Sequence, residues 1–172
     1  SEAVTMTVST PTSFPAATDL TGALTAMGVG VEITVSPALQ PLKDITITAT
    51  YTQAEVAAAT DESQLILARY DTDKSVWIPL PSTVDATANT IKAKTNHLST
   101  FQIMQAVPSG SVANAKVFPN PYLPGKGHTS VTFANMPSAA SIKIYTLTGG
   151  LVVELTSDAS GLARWDAKNT KG

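Results

Sequence analysis

Two aspartates and one His-x-Ser step are the residues of this chain whose types and spacing could do chemistry. Asp71 and Asp73 form an Asp-x-Asp pair, Asp85 follows farther along, and such carboxylates are common calcium ligands. Calcium takes about six to eight oxygen ligands, which two aspartates in one turn do not supply. The pattern therefore favours turn formation, for which Asp is well suited. We predict neither a metal ion nor another cofactor.

His97 and Ser99 flank Leu98 and place an imidazole two residues from a hydroxyl. An imidazole can act as a general base on a hydroxyl nucleophile, so these three residues are the candidates for catalysis. No nucleophile elbow, phosphate-binding loop or zinc signature accompanies them in the sequence. The sequence thus predicts a protein that is not an enzyme, in which His97 belongs to a turn and Ser99 opens a strand.

Five aromatic residues, Trp77, Trp165, Tyr70, Tyr145 and Phe133, could together form a platform on which sugars stack. Each lies in a stretch of alternating polar and apolar residues, where aromatic side chains usually fill the core of a β-sandwich. We therefore predict that both tryptophans are buried, one in each domain. Carbohydrate binding stays open as an alternative.

Composition indicates an all-β protein. Charged residues make up 14% of the chain, against about 25% in average globular proteins, and there are 10 Gly and 11 Pro. The net charge is −2 with scattered Lys and Arg, so nucleic acid is not an expected partner. No apolar run is long enough to insert into a membrane, and the absence of cysteine excludes disulfides and thiolate metal sites. The expected partners are other protein copies or surface components, with glycans as an alternative.

Alternation of apolar and polar residues predicts antiparallel strands, each with one buried face. Val4, Met6 and Val8 mark the first such strand. The other strands predicted in the N-terminal part cover residues 29–35, 45–51, 65–70, 76–80, 89–94 and 99–104. Residues 52–55 have the spacing of a capping box and favour a short helix of one or two turns. Residues 71–75 favour the turn of a hairpin.

Residues 117–125, Val-Phe-Pro-Asn-Pro-Tyr-Leu-Pro-Gly, contain three prolines that exclude helix and sheet interior. Strands are predicted around them at 115–118, 130–133, 141–145, 151–155 and 162–166. This part resembles the immunoglobulin-like repeats at the C-termini of secreted bacterial proteins, a family that includes type IX secretion sorting domains and the flagellar hook-cap domain. The resemblance implies an immunoglobulin-like domain over residues 115–172, a linker over 107–114, and a location outside the cell or at its surface.

The N-terminal part resembles the ZU5-type β-sandwiches of bacterial surface proteins, through residues 31–33, 45–51, 67–71, 77–80 and 96–101. That resemblance implies a ZU5-like sandwich over residues 1–106. The His-Leu-Ser step is also similar to the cleavage site of self-cleaving extracellular domains. It implies that His97 activates the Ser99 hydroxyl, which attacks the Leu98 carbonyl and forms an ester that water hydrolyses. The chain lacks the cysteine pair of the receptor type of such domains.

Both families usually have a further strand at the ends of this sequence, one before residues 4–9 and one after Trp165. We expect a mature or excised fragment whose C-terminal domain lacks its last strand and pairs its open edge with another chain, or is locally frayed. The predicted fold is all-β, with two β-sandwich domains. The predicted function is a non-catalytic, exported structural or adhesion module of a bacterial cell-surface or secreted protein, assembling by strand exchange. The alternatives are autoproteolysis between Leu98 and Ser99, and an accessory carbohydrate-binding module of a secreted hydrolase.

Overall fold

The protein is all-β in a computed structural model that describes residues 4–16, 24–124 and 128–169. The ends of the two predicted domains, residues 1–3 and 170–172, lie outside this description. We refer to residues 4–106 as the N-terminal region and to residues 107–169 as the C-terminal region. The strands of the N-terminal region are β1 (Thr5–Ser9), β2 (Leu24–Ser36), β3 (Ile45–Thr50), β4 (Leu65–Asp71), β5 (Val76–Leu80), β6 (Ser82–Asp85), β7 (Thr90–Thr95) and β8 (Thr100–Ala106). Those of the C-terminal region are β9 (Lys116–Phe118), β10 (Val131–Ala134), β11 (Ser141–Tyr145), β12 (Leu151–Thr156) and β13 (Ala163–Trp165).

Two antiparallel sheets form the N-terminal region. One has five strands in the order β1-β2-β8-β4-β5, and the other has three in the order β3-β7-β6. Their facing sides enclose a core to which Leu67, Ile91 and Phe101 contribute fully buried side chains. Strand β7 shows the predicted alternation clearly, because Ile91 and Ala93 point into this core while Lys92 and Lys94 are exposed. The predicted hairpin is also present, with β4 and β5 joined across residues 72–75.

The outer face of β4, β5 and β8 is buried as well, because the C-terminal region packs against it. Ile66, Trp77 and Met104 of the sheet share one apolar cluster with Ala134 and Leu162 of the C-terminal region. Strand β4 consequently alternates between two cores rather than between core and solvent: Leu65 and Leu67 face inward, Ile66 and Ala68 outward. We call this second cluster the shared core.

The C-terminal region contains a three-stranded sheet in the order β13-β10-β9 and a hairpin of β11 and β12. A small cluster of Met136, Ile142 and Ala163, with Phe133 and Leu155 packed against it, lies between them. The five strands lie within one or two residues of those predicted from alternation. As expected from their prolines, residues 119–123 after β9 are neither helix nor strand.

Strand β1 departs from its predicted burial. Val4, Met6 and Val8 are 59%, 64% and 59% exposed, and the polar residues between them are exposed too. The cause is geometric: β1 is the edge of a five-stranded sheet, and the facing sheet has only three strands. Alternation correctly located the strand, but the facing sheet does not reach it.

The predicted short helix is absent, although its capping box is formed. The Thr52 N–H donates to Glu55 Oε2 at 2.7 Å, and the Glu55 N–H donates to Thr52 Oγ1 at 3.3 Å. Residues 53–58 form successive turns, and the one short helix in the described residues is a 3₁₀ helix at Glu62–Gln64. Capping is a local interaction, whereas a helix this short needs further packing to persist.

The 3₁₀ helix is tied to the end of β3 by a hydrogen bond between the Tyr51 hydroxyl and Glu62. Burial together with this bond raises the pKa of Tyr51.

The two tryptophans behave differently, so the burial prediction is correct for one of them. Trp77 is 2% exposed in the shared core and donates its indole N–H to the Pro15 carbonyl at 3.0 Å. Trp165 is only half-buried at the end of β13, where its indole donates to the Lys168 carbonyl at 2.6 Å. Tyr70 packs against Trp77 with ring centroids 5.2 Å apart, and Tyr145 is exposed on β11.

Candidate functional site

A cleft of about 610 Å³ lies where the C-terminal region meets one end of the N-terminal sandwich. The β4–β5 hairpin and the segment between β7 and β8 form one wall, and residues within 118–123 and 128–132 form the other. Its size is in the range of small-molecule sites, about 300–1,000 Å³. The lining includes His97, Leu98, Ser99, Asp71 and Asp73 from the sequence-predicted candidates. Asp85 lies elsewhere, at the end of β6, where its Oδ1 accepts the N–H groups of Thr87 and Ala88. We call it the His97 cleft.

Hydrogen bonds hold the His-Leu-Ser step in place. Ser99 Oγ donates to the Tyr70 carbonyl at 2.7 Å, which ties the β7–β8 connection to β4. The Leu98 N–H donates to Gln40 Oε1, and Gln40 Nε2 donates to the Leu98 carbonyl at 3.2 Å. The His97 N–H donates to Thr95 Oγ1 at 3.1 Å. The Ser99 hydroxyl proton is thus directed to a backbone carbonyl.

Asp71 and Asp73 lie at the tip of the β4–β5 hairpin. Asp71 Oδ1 accepts the Lys74 N–H at 3.2 Å, and its other oxygen lies 3.8 Å from an Arg69 nitrogen. Asp71 therefore organises the turn, as the sequence favoured. Among the residues that the structure describes, no three His, Asp or Glu side chains are grouped as a metal site would require.

Arg69 is the most deeply buried charge in the cleft. Its side chain is 14% exposed and that of Asp71, its ion-pair partner, is 19% exposed. Burial lowers the pKa of Arg69, and the negative charge of Asp71 opposes that effect. An Arg side chain keeps its charge under these conditions, because its ordinary pKa is above 12.

His97 is half-buried beside this charge. Burial lowers the pKa of His97 below its ordinary value, and the positive charge of Arg69 lowers it further. Asp71 and Asp73 act in the opposite direction, while His128 on the far wall adds to the lowering. The imidazole is therefore neutral at physiological pH, a form that can accept a proton.

An ion pair links the two regions beside the cleft. Arg164 on β13 donates to Asp44, the residue that immediately precedes β3. The Nε of Arg164 also donates to Ser130 Oγ at 2.9 Å. Thr129 Oγ1 also donates to Asp44, at 3.0 Å. These contacts fix the wall that carries His128, whose Nδ1 accepts the Leu123 N–H at 2.9 Å.

Arg69, Arg164, Asp44 and Gln40 were not among the sequence candidates. One of them had a visible signal: Arg69 is the only charged residue between Leu65 and Tyr70, in a strand that is otherwise apolar. A charge inside a buried strand needs a partner or a function. The other three come from distant parts of the chain and meet only through tertiary packing, which the sequence does not display.

Comparison with protein-family models, with curated proteins and with solved structures found no match for this chain. In the described residues, none of the helical segments has the length and apolar character needed to cross a membrane. The fold and the His97 cleft are therefore the observations from which function has to be argued.

We predict that the chain stays intact and that Ser99 has a structural role. Replacing Ser99 with Ala removes the bond to the Tyr70 carbonyl, which should lower the free energy of unfolding by about 1 kcal/mol. Urea denaturation measures this loss, and electrophoresis under denaturing conditions should show one band for both proteins. Two fragments divided after Leu98 in the parent chain, and absent from Ser99→Ala, would instead establish autoproteolysis.

Proposed function

We propose that this chain is a non-catalytic structural module of an exported or cell-surface protein, and that its copies associate through strand β1. The observation that carries the proposal is the uncovered apolar side of β1, where Val4, Met6 and Val8 are each more than half exposed. Exposed apolar strips of this kind mark interaction surfaces when they adjoin an open sheet edge.

Strand β1 lacks the devices that normally protect a sheet edge. Residues 4–9 contain no charged residue and no proline, and none of the described residues forms a strand on the outer side of β1. The opposite edge is different, because β5 is buried along its whole length. An unprotected edge presents a row of backbone N–H and C=O groups that another strand can pair with.

A second copy of the chain is the occupant that fits this edge. Antiparallel pairing of two β1 strands centred on Met6 would place Val4 of each copy opposite Val8 of the other. The strand is uncharged, so the pairing brings together no like charges. On the existing sheet, Val8 pairs with Ile33 and Met6 with Val35, and Ile33 packs on the N-terminal core. The new contact would therefore extend that core across the two copies and give a twofold, isologous interface.

The link between the regions supports a structural role. The shared core and the Arg164–Asp44 ion pair join the two regions side by side, so force applied to one is transmitted to the other. We propose that the regions are a ZU5-like and an immunoglobulin-like domain, on the resemblances described above. A location outside the cell is part of the same proposal. Protease treatment of intact producing cells tests it, because an exported module should be digested without lysis.

We predict that Met6→Lys abolishes the association. A lysine in the middle of the apolar strip would place two ammonium groups opposite each other in the paired strands, and a charge at this position is a known protection of sheet edges. Sedimentation equilibrium should show a concentration-dependent dimer for the parent chain and at least a tenfold weaker one for the variant.

Thr7→Lys is the matched control, because it adds the same charge to the same strand on the opposite face. The parent-like dimer should persist in this variant. A parent chain that is monomeric at all concentrations would refute the proposal. Equal weakening by both variants would show that the apolar face does not take part.

A further inference from the structure

The guanidinium of Arg69 has more hydrogen-bonding capacity than the protein uses. It carries five N–H donors in a planar fork, while the ion pair with Asp71, its one ion pair among the residues that the structure describes, spans 3.8 Å. A well-formed pair between Arg and a carboxylate is about 2.7–2.9 Å long. The backbone that carries this side chain is fixed, since β4 pairs Arg69 with Phe101 on one side and Ile78 on the other.

Arg69 lines the His97 cleft, so a ligand bound there could accept hydrogen bonds from its unused N–H groups. The same wall carries Lys74 and Lys94, and the facing wall carries Phe118 and Pro119, which supply apolar surface. The lining is therefore mixed, with charged and polar side chains beside apolar ones, and small-molecule sites use such placed polar groups to fix the orientation of a ligand.

The charges favour an anion. The described residues that line the cleft include the cations Arg69, Lys74, Lys94 and Arg164, against the two carboxylates of Asp71 and Asp73. A carboxylate is planar and accepts two parallel N–H bonds from a guanidinium.

We propose that the His97 cleft binds a small organic acid through its carboxylate, with Arg69 as the anchoring residue. The acid is a carboxylated sugar or the carboxyl end of a short peptide, which share this chemistry. This inference does not depend on association through β1, since β1 is not among the elements that line the cleft.

The test uses the resonances of the two histidines during titration of the intact chain. The carboxylate probes are glucuronate and N-acetylleucine, and their neutral counterparts are glucose and N-acetylleucinamide. A bound carboxylate should raise the pKa of His97, because nearby negative charge favours the imidazolium form. The neutral probes should leave the His97 resonances unchanged.

Binding of either acid supports the proposal, and the acid that binds identifies the source of the carboxylate. Arg69→Gln should weaken this binding at least tenfold, and Arg69→Lys should weaken it less, because lysine keeps the charge but not the fork. Lys143→Gln removes a cation from the exposed hairpin of β11 and β12 and should have no effect.

Failure of both acids to bind the parent chain overturns the proposal, whether or not the Arg69 variants fold. Equal binding of an acid and its neutral counterpart also overturns it. Undiminished binding by a folded Arg69→Gln protein would remove Arg69 as the anchor.

Discussion

Replacing Trp77 with Ala should cost about 3–5 kcal/mol of the free energy of unfolding, the usual range for truncating a buried large aromatic side chain. Trp77 is 2% exposed in the shared core, packs against Tyr70, and donates its indole N–H to the Pro15 carbonyl. A domain is typically stable by about 5–15 kcal/mol, so this single change removes a large part of the total. Urea denaturation followed by far-ultraviolet circular dichroism measures the loss independently of tryptophan fluorescence.

Trp165→Ala is the matched control for this prediction. It deletes the same side chain from a half-buried position at the end of β13, where one hydrogen bond to Lys168 is lost. We expect a clearly smaller loss than for Trp77→Ala. Because Trp77 contacts a cluster that includes Leu162, its removal should also loosen the C-terminal region, which hydrogen exchange of β10 and β13 would detect. Equal losses for the two variants would mean that the shared core contributes little.

The sequence was sufficient to place most strands, because alternation of side chains is a local property. The hairpin at residues 72–75 and the C-terminal strands were found for this reason. Strand β6 (Ser82–Asp85) was missed, since Val84 is its one aliphatic residue and offers no period to detect. It exists because its backbone pairs with β7, a contact that the sequence of β6 alone does not specify.

Burial was less predictable, because it depends on what lies opposite each strand. The same alternation occurs in β7, where Ile91 is buried, and in β1, where Met6 is exposed. Strand β7 faces the five-stranded sheet, whereas β1 lies at an edge that the three-stranded sheet does not reach. Strand β4 was predicted with one buried face, yet its apolar run is buried on both, because a second partner covers the outer face. That partner, the C-terminal region, became visible only in the structure.

For the candidate site, the sequence indicated several of the residues but not that they lie together. His97, Ser99, Asp71 and Asp73 were singled out for separate reasons, and the structure brings all four to one cleft. Their proximity could not be foreseen, since the β4–β5 hairpin and the β7–β8 connection are joined through pairing of β4 with β8. Arg69, the residue that gives the cleft its anchor, was indicated only by a charge within a buried strand.

Replacing Gly161 with Ala should be the most damaging change in the C-terminal region. Gly161 has a φ of +69°, and a Cβ there would lie 2.1 Å from the Met136 carbonyl oxygen and 3.1 Å from the Pro108 Cα. The Met136 oxygen already accepts the Ser109 N–H at 3.0 Å, and the Met136 N–H donates to the Gly161 carbonyl at 3.1 Å. An added methyl group must therefore displace the backbone at Met136, which bonds Ser109 and so ties residues 107–114 to the rest of the C-terminal region.

Gly149→Ala separates the two causes of that damage. Gly149 has a φ of +85° in the exposed turn between β11 and β12, and a Cβ there meets nothing within 4 Å. Both variants incur the strain of a left-handed backbone, about 1–2 kcal/mol, while only Gly161→Ala adds a steric clash, which typically costs a further ~1–3 kcal/mol. Urea denaturation of the two proteins should show the larger loss for Gly161→Ala. Equal losses would mean that the contact between Gly161 and Met136 relaxes freely.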